Sequence, residues 1–379
     1  MRAKKRVLII LVAAMVAGLL LVPGPAFATN CSGANPNDNI PDSDALNACL
    51  ANGGTITLAP GSPGYIIDKP LIVSKAATQL ISSAPPRLAT LIAAPKLWGP
   101  VLKFGGGPWY MSAQYLKIDG NRPNRTGISS KCSTTDRTMS SDVVFYDNPH
   151  LTFSNNEVTR TLCGSALTVS GFGITVTNNY IHDNGHGREA PDAAQPGADG
   201  ITVGYCRSGT ISGNSILDAT DIGIVLFSSD HCSVNHNTIT QMYRHANMGI
   251  ALHTRGPNDT ERHDGTVVSA NQINGNGLLS FGLSFGVHPV YPNSWVVGGT
   301  MTGNTVRGAY VNLDVDGVKS SGTIRARVGQ NNLSNPSSVA RYPWCGPTGV
   351  VNYARDPSDS QMMFTPGGWV NRNYDACTP

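Results

Sequence analysis

Between Asn178 and Tyr205 the chain reads NNYIHDNGHGREAPDAAQPGADGITVGY, a stretch holding His182, His186, Arg188, Glu189 and the aspartates Asp183, Asp192 and Asp199. A further aspartate, Asp221, follows 22 residues after Asp199. Two carboxylates in one place suit the hydrolysis of a glycosidic bond. One is protonated to release the leaving oxygen, and the other is ionised to activate water or attack carbon. Like charges held close push each other's pKa values apart, which helps divide the two roles. Downstream, MYRHANMGIALHTRG adds Arg244, His245, His253 and Arg255, which could orient a sugar. Tyr205, Phe227, Tyr291 and Trp295 offer ring faces for sugars or ordinary loop packing.

What must position these residues is a repeat. Asn-x-(Ile/Val/Leu) recurs at Asn156, Asn179, Asn214, Asn237, Asn271, Asn304 and Asn331, with gaps of 23, 35, 23, 34, 33 and 27 residues. The shortest gap predicts a coil of about 23 residues, with longer gaps adding a loop. Each repeat also carries an apolar-small-apolar strand: Leu167-Thr-Val, Ile201-Thr-Val, Ile224-Val-Leu, Ile250-Ala-Leu, Leu283-Ser-Phe and Leu313-Asp-Val. That alternation has the period of a half-buried strand. Stacked coils of short strands make a single-stranded, right-handed parallel β-helix, an all-β fold with the asparagines stacked in a turn.

Aligning the strands on Ile201, Ile224 and Ile250 puts Asp199 two residues before the first and Asp221 three before the second. Neighbouring strands lie about 4.8 Å apart, so the two carboxylates are expected roughly 5–8 Å apart at one edge of the same sheet. That spacing spans both the retaining and the inverting geometry. The loops around these strands predict a groove with a floor of Thr202, Val225, Ala251 and Ser284, with His253 pointing into it. An aspartate before a strand also caps its own backbone, and that is the competing reading of both residues.

Residues 1–28 read as a secretory signal peptide: a basic start, an apolar run from Val7 to Val22, and Ala26-Phe27-Ala28 before the cut. Removing its four basic residues takes the formal net charge from +3 to −1, which gives no reason to expect nucleic-acid binding. Residues 29–379 form one domain, because the repeat leaves no room for a boundary. With 42 glycines, 25 prolines and three glutamates, the composition is turn-rich and poor in helix. DSDALNACLANGG predicts a short N-terminal capping helix started by Ser43 and stopped at Gly53-Gly54, within a cap over about 29–60. A covering tail is expected over about 339–379. All eight cysteines follow the signal, and Cys31–Cys49, Cys132–Cys163, Cys206–Cys232 and Cys345–Cys377 are the plausible pairs.

The opening DSDALNACLANGGTITLAPGSPGYII, the segment LKIDGNRPNRTG and the Asn-x-Ile coils resemble the pectate-lyase-like superfamily of right-handed β-helix proteins, over essentially the whole mature chain. That superfamily includes glycoside hydrolases, polysaccharide lyases, epimerases and non-catalytic binding proteins, so the resemblance implies the fold rather than one activity. In polygalacturonase-like hydrolases the catalytic aspartates sit in N-T-D-G and D-D motifs on successive coils. Asp199-Gly200 and Asp221 match the first aspartate of each. The second aspartate of the pair is Ile222 here, the G-H-G strand reads Asn247-Met248-Gly249, and no R-x-K follows. These departures argue against a true polygalacturonase.

The leading expectation is a secreted glycoside hydrolase acting on an extended polysaccharide or oligosaccharide, without a cofactor or metal. Asp199 and Asp221 are its acid-base pair, and His186, Glu189, Arg244, His245, His253, Arg255, Tyr205 and Trp295 contact substrate. The alternatives are a lyase or uronate epimerase, for which the two aspartates could hold calcium, and a carbohydrate-binding protein without turnover. No membrane partner is expected after signal cleavage.

Overall fold

The computed structural model describes residues 29–107, 109–125, 132, 141–186, 197–286, 291, 293–337, 349–355 and 363–364. The signal segment, Glu189, Arg188, Cys345 and Cys377 lie outside these residues.

The strands coil into a right-handed β-helix, each pairing in parallel with its equivalent one turn later. One face is a twelve-stranded sheet with one strand per coil, in which Thr175–Thr177, Thr210–Ser212, Ser233–Asn235 and Val267–Ser269 follow one another. After a turn at the repeated asparagine, a second column begins with Tyr180–His182, Ser215–Leu217 and Thr238–Thr240. A third column, here called the floor, is formed by Gly164–Phe172, Ala198–Arg207, Ile222–Leu226, Ala246–Leu252 and the later part of Gln272–Gly286. The latter pairs with Thr305–Lys319, and Gly349–Arg355 adds a further strand beyond it.

Alternation explains the core. Ile201, Ile224, Ile250, Leu283 and Leu313 stack inward in register, all fully buried, and so do Val203, Leu226, Leu252, Phe285 and Val315. A one-residue slip would turn each of these side chains outward, so the register is strongly specified. Buried asparagines lock the turn. Each carboxamide oxygen from Asn179 to Asn331 accepts the side-chain amide and the backbone N–H of the asparagine one coil earlier.

The capping helix spans Ser43–Leu50 and buries Leu46, Cys49 and Leu50 over the first coil. Its start differs from the sequence expectation. Asp42 is the residue before the first turn, and the Ser43 hydroxyl instead accepts the N–H groups of Asp68 and Lys69, at 3.0 and 3.2 Å. The helix is thus tied sideways to the first coil rather than capped from within. Disulfides join Cys31 to Cys49, Cys132 to Cys163 and Cys206 to Cys232, as the sequence suggests. Among the described residues no helix is long and apolar enough to cross a membrane.

LKIDGNRPNR, residues 116–125, builds a polar plug. Arg125, fully buried, donates to the carbonyls of Gly120 and Leu97, with its guanidinium 3.9 Å from the buried carboxylate of Asp142. Gly120 is required because a Cβ there would overlap that carboxylate. Burial pushes Asp142 up to about 7 despite the nearby guanidinium and the Thr161 hydroxyl bonded to it.

Candidate functional site

The residues singled out in the sequence fall at the two ends of the floor strands. From Asn247 to His253 the chain advances six residue steps along the floor, about 20 Å. The leading edge, where the chain enters the floor, therefore lies well apart from the trailing edge.

At the leading edge the half-buried Asp199 and Asp221 come from adjacent coils: the Asp221 N–H donates to the carbonyl of Ala198 at 3.1 Å. Asp199 Oδ1 accepts the backbone N–H of Ile222 at 3.1 Å, and Oδ2 accepts the Thr202 hydroxyl at 2.6 Å. The Thr202 hydroxyl also contacts that of Ser165 at 2.6 Å. Asp221 Oδ1 accepts the side-chain amide of Asn247, on the following coil, at 2.6 Å. Asp199, Asp221 and Asn247 thus climb three successive coils.

The loop after Thr240 is shaped by Asp218, whose Oδ1 accepts the N–H groups of Met242, Tyr243 and Arg244 at 2.7, 3.0 and 3.2 Å. This directs Arg244 back onto the turn that leads to His186. Its guanidinium donates to the carbonyl of Gly185 at 2.8 Å and lies 3.5 Å from Asp183, which also pairs with Arg122 at 3.0 Å. Arg244 is therefore anchored to protein rather than projecting freely. His186 is half-buried beside that turn, and His245 is buried.

At the trailing edge His253 is buried. Its Nδ1 lies 2.8 Å from the Thr254 carbonyl, so that nitrogen carries the proton. Phe227 and Tyr291 meet the ring edge-on, at 6.3 and 5.7 Å, and burial lowers its pKa, leaving the imidazole neutral. Arg255 donates to the carbonyl of Gly204 at 2.5 Å, with Nε 3.6 Å from the Glu261 carboxylate. Tyr205 stands exposed, and Lys319 Nζ lies 4.6 Å from the Trp295 ring centroid.

The floor between the edges differs from the expected open groove. Thr202 is half-buried, but Val225, Ala251 and Ser284 are fully buried. Val225 and Ala251 belong to an apolar cluster with Met248, Phe281 and Val311, bordered by Ile222, Phe227 and Tyr310. Strand alternation shows which residues face outward, not what packs on them, and that is why the expectation fails. Ile222 and Met248, which replace the second aspartate and the histidine of the hydrolase pattern, both join this cluster.

Sequence reasoning also missed acids. Asp314 and Asp316 alternate along Thr305–Lys319, and both are buried. Asp314 accepts the Ser284 hydroxyl at 3.3 Å; burial, then the charge of Asp316, raise its pKa well above the usual range. Glu261 is also raised, first by burial. The only sequence signals were the alternation N-L-D-V-D and the rarity of glutamate. Among the described residues no group of three or more His, Cys, Asp or Glu side chains is arranged to hold a metal ion.

Residues 124–311 match the family described as "Right handed beta helix region". No curated protein matches the chain by sequence. Among solved structures, a polygalacturonase from Erwinia carotovora ssp. carotovora aligns with a TM-score of 0.54 at 12% identity, over 90% of this chain and 97% of its own. An alginate lyase from Paenibacillus sp. aligns with a TM-score of 0.50 at 16% identity, over 78% and 94%. The Dettilon tailspike protein aligns with a TM-score of 0.53 at 13% identity over 80% of this chain, which spans 59% of its length. Likeness at this identity shows the shared fold.

Proposed function

We propose, from the premise that the chain is a right-handed parallel β-helix protein of the pectate-lyase-like superfamily, that it is a secreted enzyme hydrolysing an extended polysaccharide. The observation that carries this reading is the position of Asp199 and Asp221, half-buried on adjacent coils at one edge of the floor. Asp221 donates its proton to the leaving glycosidic oxygen. Asp199 takes a proton from water as that water attacks the anomeric carbon, or attacks the carbon itself. His186 lies beside this edge as a substrate contact, the loop residue Glu189 is proposed to join it, and the buried His245 is proposed to support them. Tyr205, Arg255 and Trp295 extend the contact surface along the trailing edge, with the buried His253 as a supporting rather than an exposed group. No metal enters these steps. Three disulfides suit an oxidising, extracellular setting, and the polysaccharides named for the structural neighbours suit a glycan partner.

One observation favours a second reading, glycan binding without turnover. Both Asp199 oxygens are engaged by the protein's own donors, and apolar Ile222 and Met248 stand where the hydrolase pattern has its second aspartate and its histidine. Incubation with polygalacturonate, alginate and xylan, with products read by mass spectrometry, separates the outcomes. Fragments that have gained water support hydrolysis. Unsaturated fragments identify a lyase, for which retained or chelator-lost activity tells whether calcium takes part. Binding without fragments identifies the second reading.

A further inference from the structure

The trailing edge carries a row of exposed aromatic rings outside the acid-base site. Among the described residues ten large apolar side chains stand exposed, and five of them lie here: Trp109 (52%), Tyr110 (60%), Tyr146 (37%), Phe172 (41%) and Tyr205 (36%). Backbone bonds put them on successive coils. The Tyr110 N–H donates to the Pro149 carbonyl at 3.1 Å and the His150 N–H to the Phe172 carbonyl at 2.7 Å, while Ser170 and Phe172 pair in register with Tyr205 and Arg207. From Trp109 to Tyr205 the row crosses three coil spacings, about 14 Å.

Trp109, Tyr110, His150 and Phe172 form a continuous ring surface. Tyr110 and His150 stack at 4.8 Å with planes 11° apart, Trp109 lies 5.9 Å from His150, and Phe172 meets His150 edge-on at 5.1 Å. Tyr110 and His150 also occupy the left-handed region, with φ of 60° and 54°, at the turn position filled by Gly173 (φ 62°) on the next coil. Bulky residues are uncommon there. The chain nevertheless places two rings where glycine would serve. An exposed apolar patch of this kind marks an interaction surface.

We propose that this aromatic row is a glycan-binding platform, separate from the Asp199–Asp221 edge, that holds a polysaccharide chain along the coil axis. Tyrosine, tryptophan and histidine rings combine an apolar face with a polar rim. A pyranose chain has the matching character, with C–H faces bordered by hydroxyls. The row is also continuous with the trailing-edge contacts, since Arg255 is anchored on the carbonyl of Gly204, next to Tyr205. The inference rests on the polysaccharide reading above.

The test compares the wild type with a Trp109→Ala/Tyr110→Gly variant. It reads depletion from solution by beads of calcium polygalacturonate, calcium alginate and insoluble xylan, turnover of short soluble oligosaccharides of the same sugars, melting temperature and oligomeric state. The expected result is at least about a tenfold loss of bead binding, with turnover of short substrates and melting temperature unchanged. Equal bead binding by a folded variant overturns the platform while leaving the polysaccharide reading intact. A wild-type oligomer that dissociates in the variant without loss of bead binding identifies the row as a self-association face and also overturns it. A wild type that neither binds nor cleaves any of the three polymers overturns both readings.

Discussion

The Asp199 carboxylate accepts the backbone N–H of Ile222, one coil further on, at 3.1 Å, while its second oxygen holds the Thr202 hydroxyl at 2.6 Å. One carboxylate therefore ties two coils together at the edge where chemistry is proposed. Asp199→Ala removes both acceptors and is expected to cost about 1–3 kcal/mol in urea denaturation. Asp199→Asn keeps an acceptor oxygen and should cost less than half as much. Equal losses for the two variants would show that the negative charge, not the acceptor geometry, holds the coils.

Asn214 is the centre of the turn ladder. Its oxygen accepts the side-chain amide and the N–H of Asn179 at 2.9 and 3.1 Å, and its own amide donates to the Val176 carbonyl at 3.0 Å and to Asn237 at 2.9 Å. Asn214→Ala strands these buried groups and is expected to destabilise the fold by about 2–4 kcal/mol. A melting temperature within a degree of wild type would contradict a structural role for the ladder.

His263 is fully buried between the Ser229 hydroxyl, 2.7 Å away, and the His253 carbonyl, and burial lowers its pKa to about 4. The unfolded chain, with its histidine near 6.5, binds the proton first, so stability is fully present above pH 6.5 and falls as the pH drops through this window. Between pH 7 and pH 5 this residue should withdraw about 2 kcal/mol. His263→Gln, although less stable at pH 7, should show a flatter decline over that range. An unchanged slope would refute the assignment.

Among the described residues three disulfides close loops between residues 18, 31 and 26 positions apart. Loops of that length contribute about 3 kcal/mol each by restricting the unfolded chain. Reduction should lower the melting temperature markedly, and Cys206→Ser/Cys232→Ser should remove roughly a third of what these three contribute together. A reduced protein with an unchanged transition would contradict this account.

The fold was legible because its determinants are periodic. Asparagines every 23 to 35 residues and strands such as Ile224-Val-Leu carry the coil and its inward face, and both survive irregular loop lengths. Adjacent placement of Asp199 and Asp221 followed from the same register. The covered floor was not legible, because Val225 and Ala251 alternate outward like any solvent-facing residue, and their burial depends on distant packing by Phe281 and Val311. The aromatic row was hidden for a related reason. Trp109, His150, Phe172 and Tyr205 lie at unequal intervals in sequence and become neighbours only once the coils are closed.

The most direct test of the proposed chemistry is the rate of polysaccharide cleavage by Asp199→Asn and Asp221→Asn, measured on folded protein with polymer binding followed in parallel. Asparagine keeps the size and an acceptor oxygen but cannot exchange a proton in the acid-base role. The account predicts that each variant loses about 10²–10⁴-fold in turnover while retaining its melting temperature within a few degrees and its affinity for polymer. Wild-type turnover in both folded variants would contradict it.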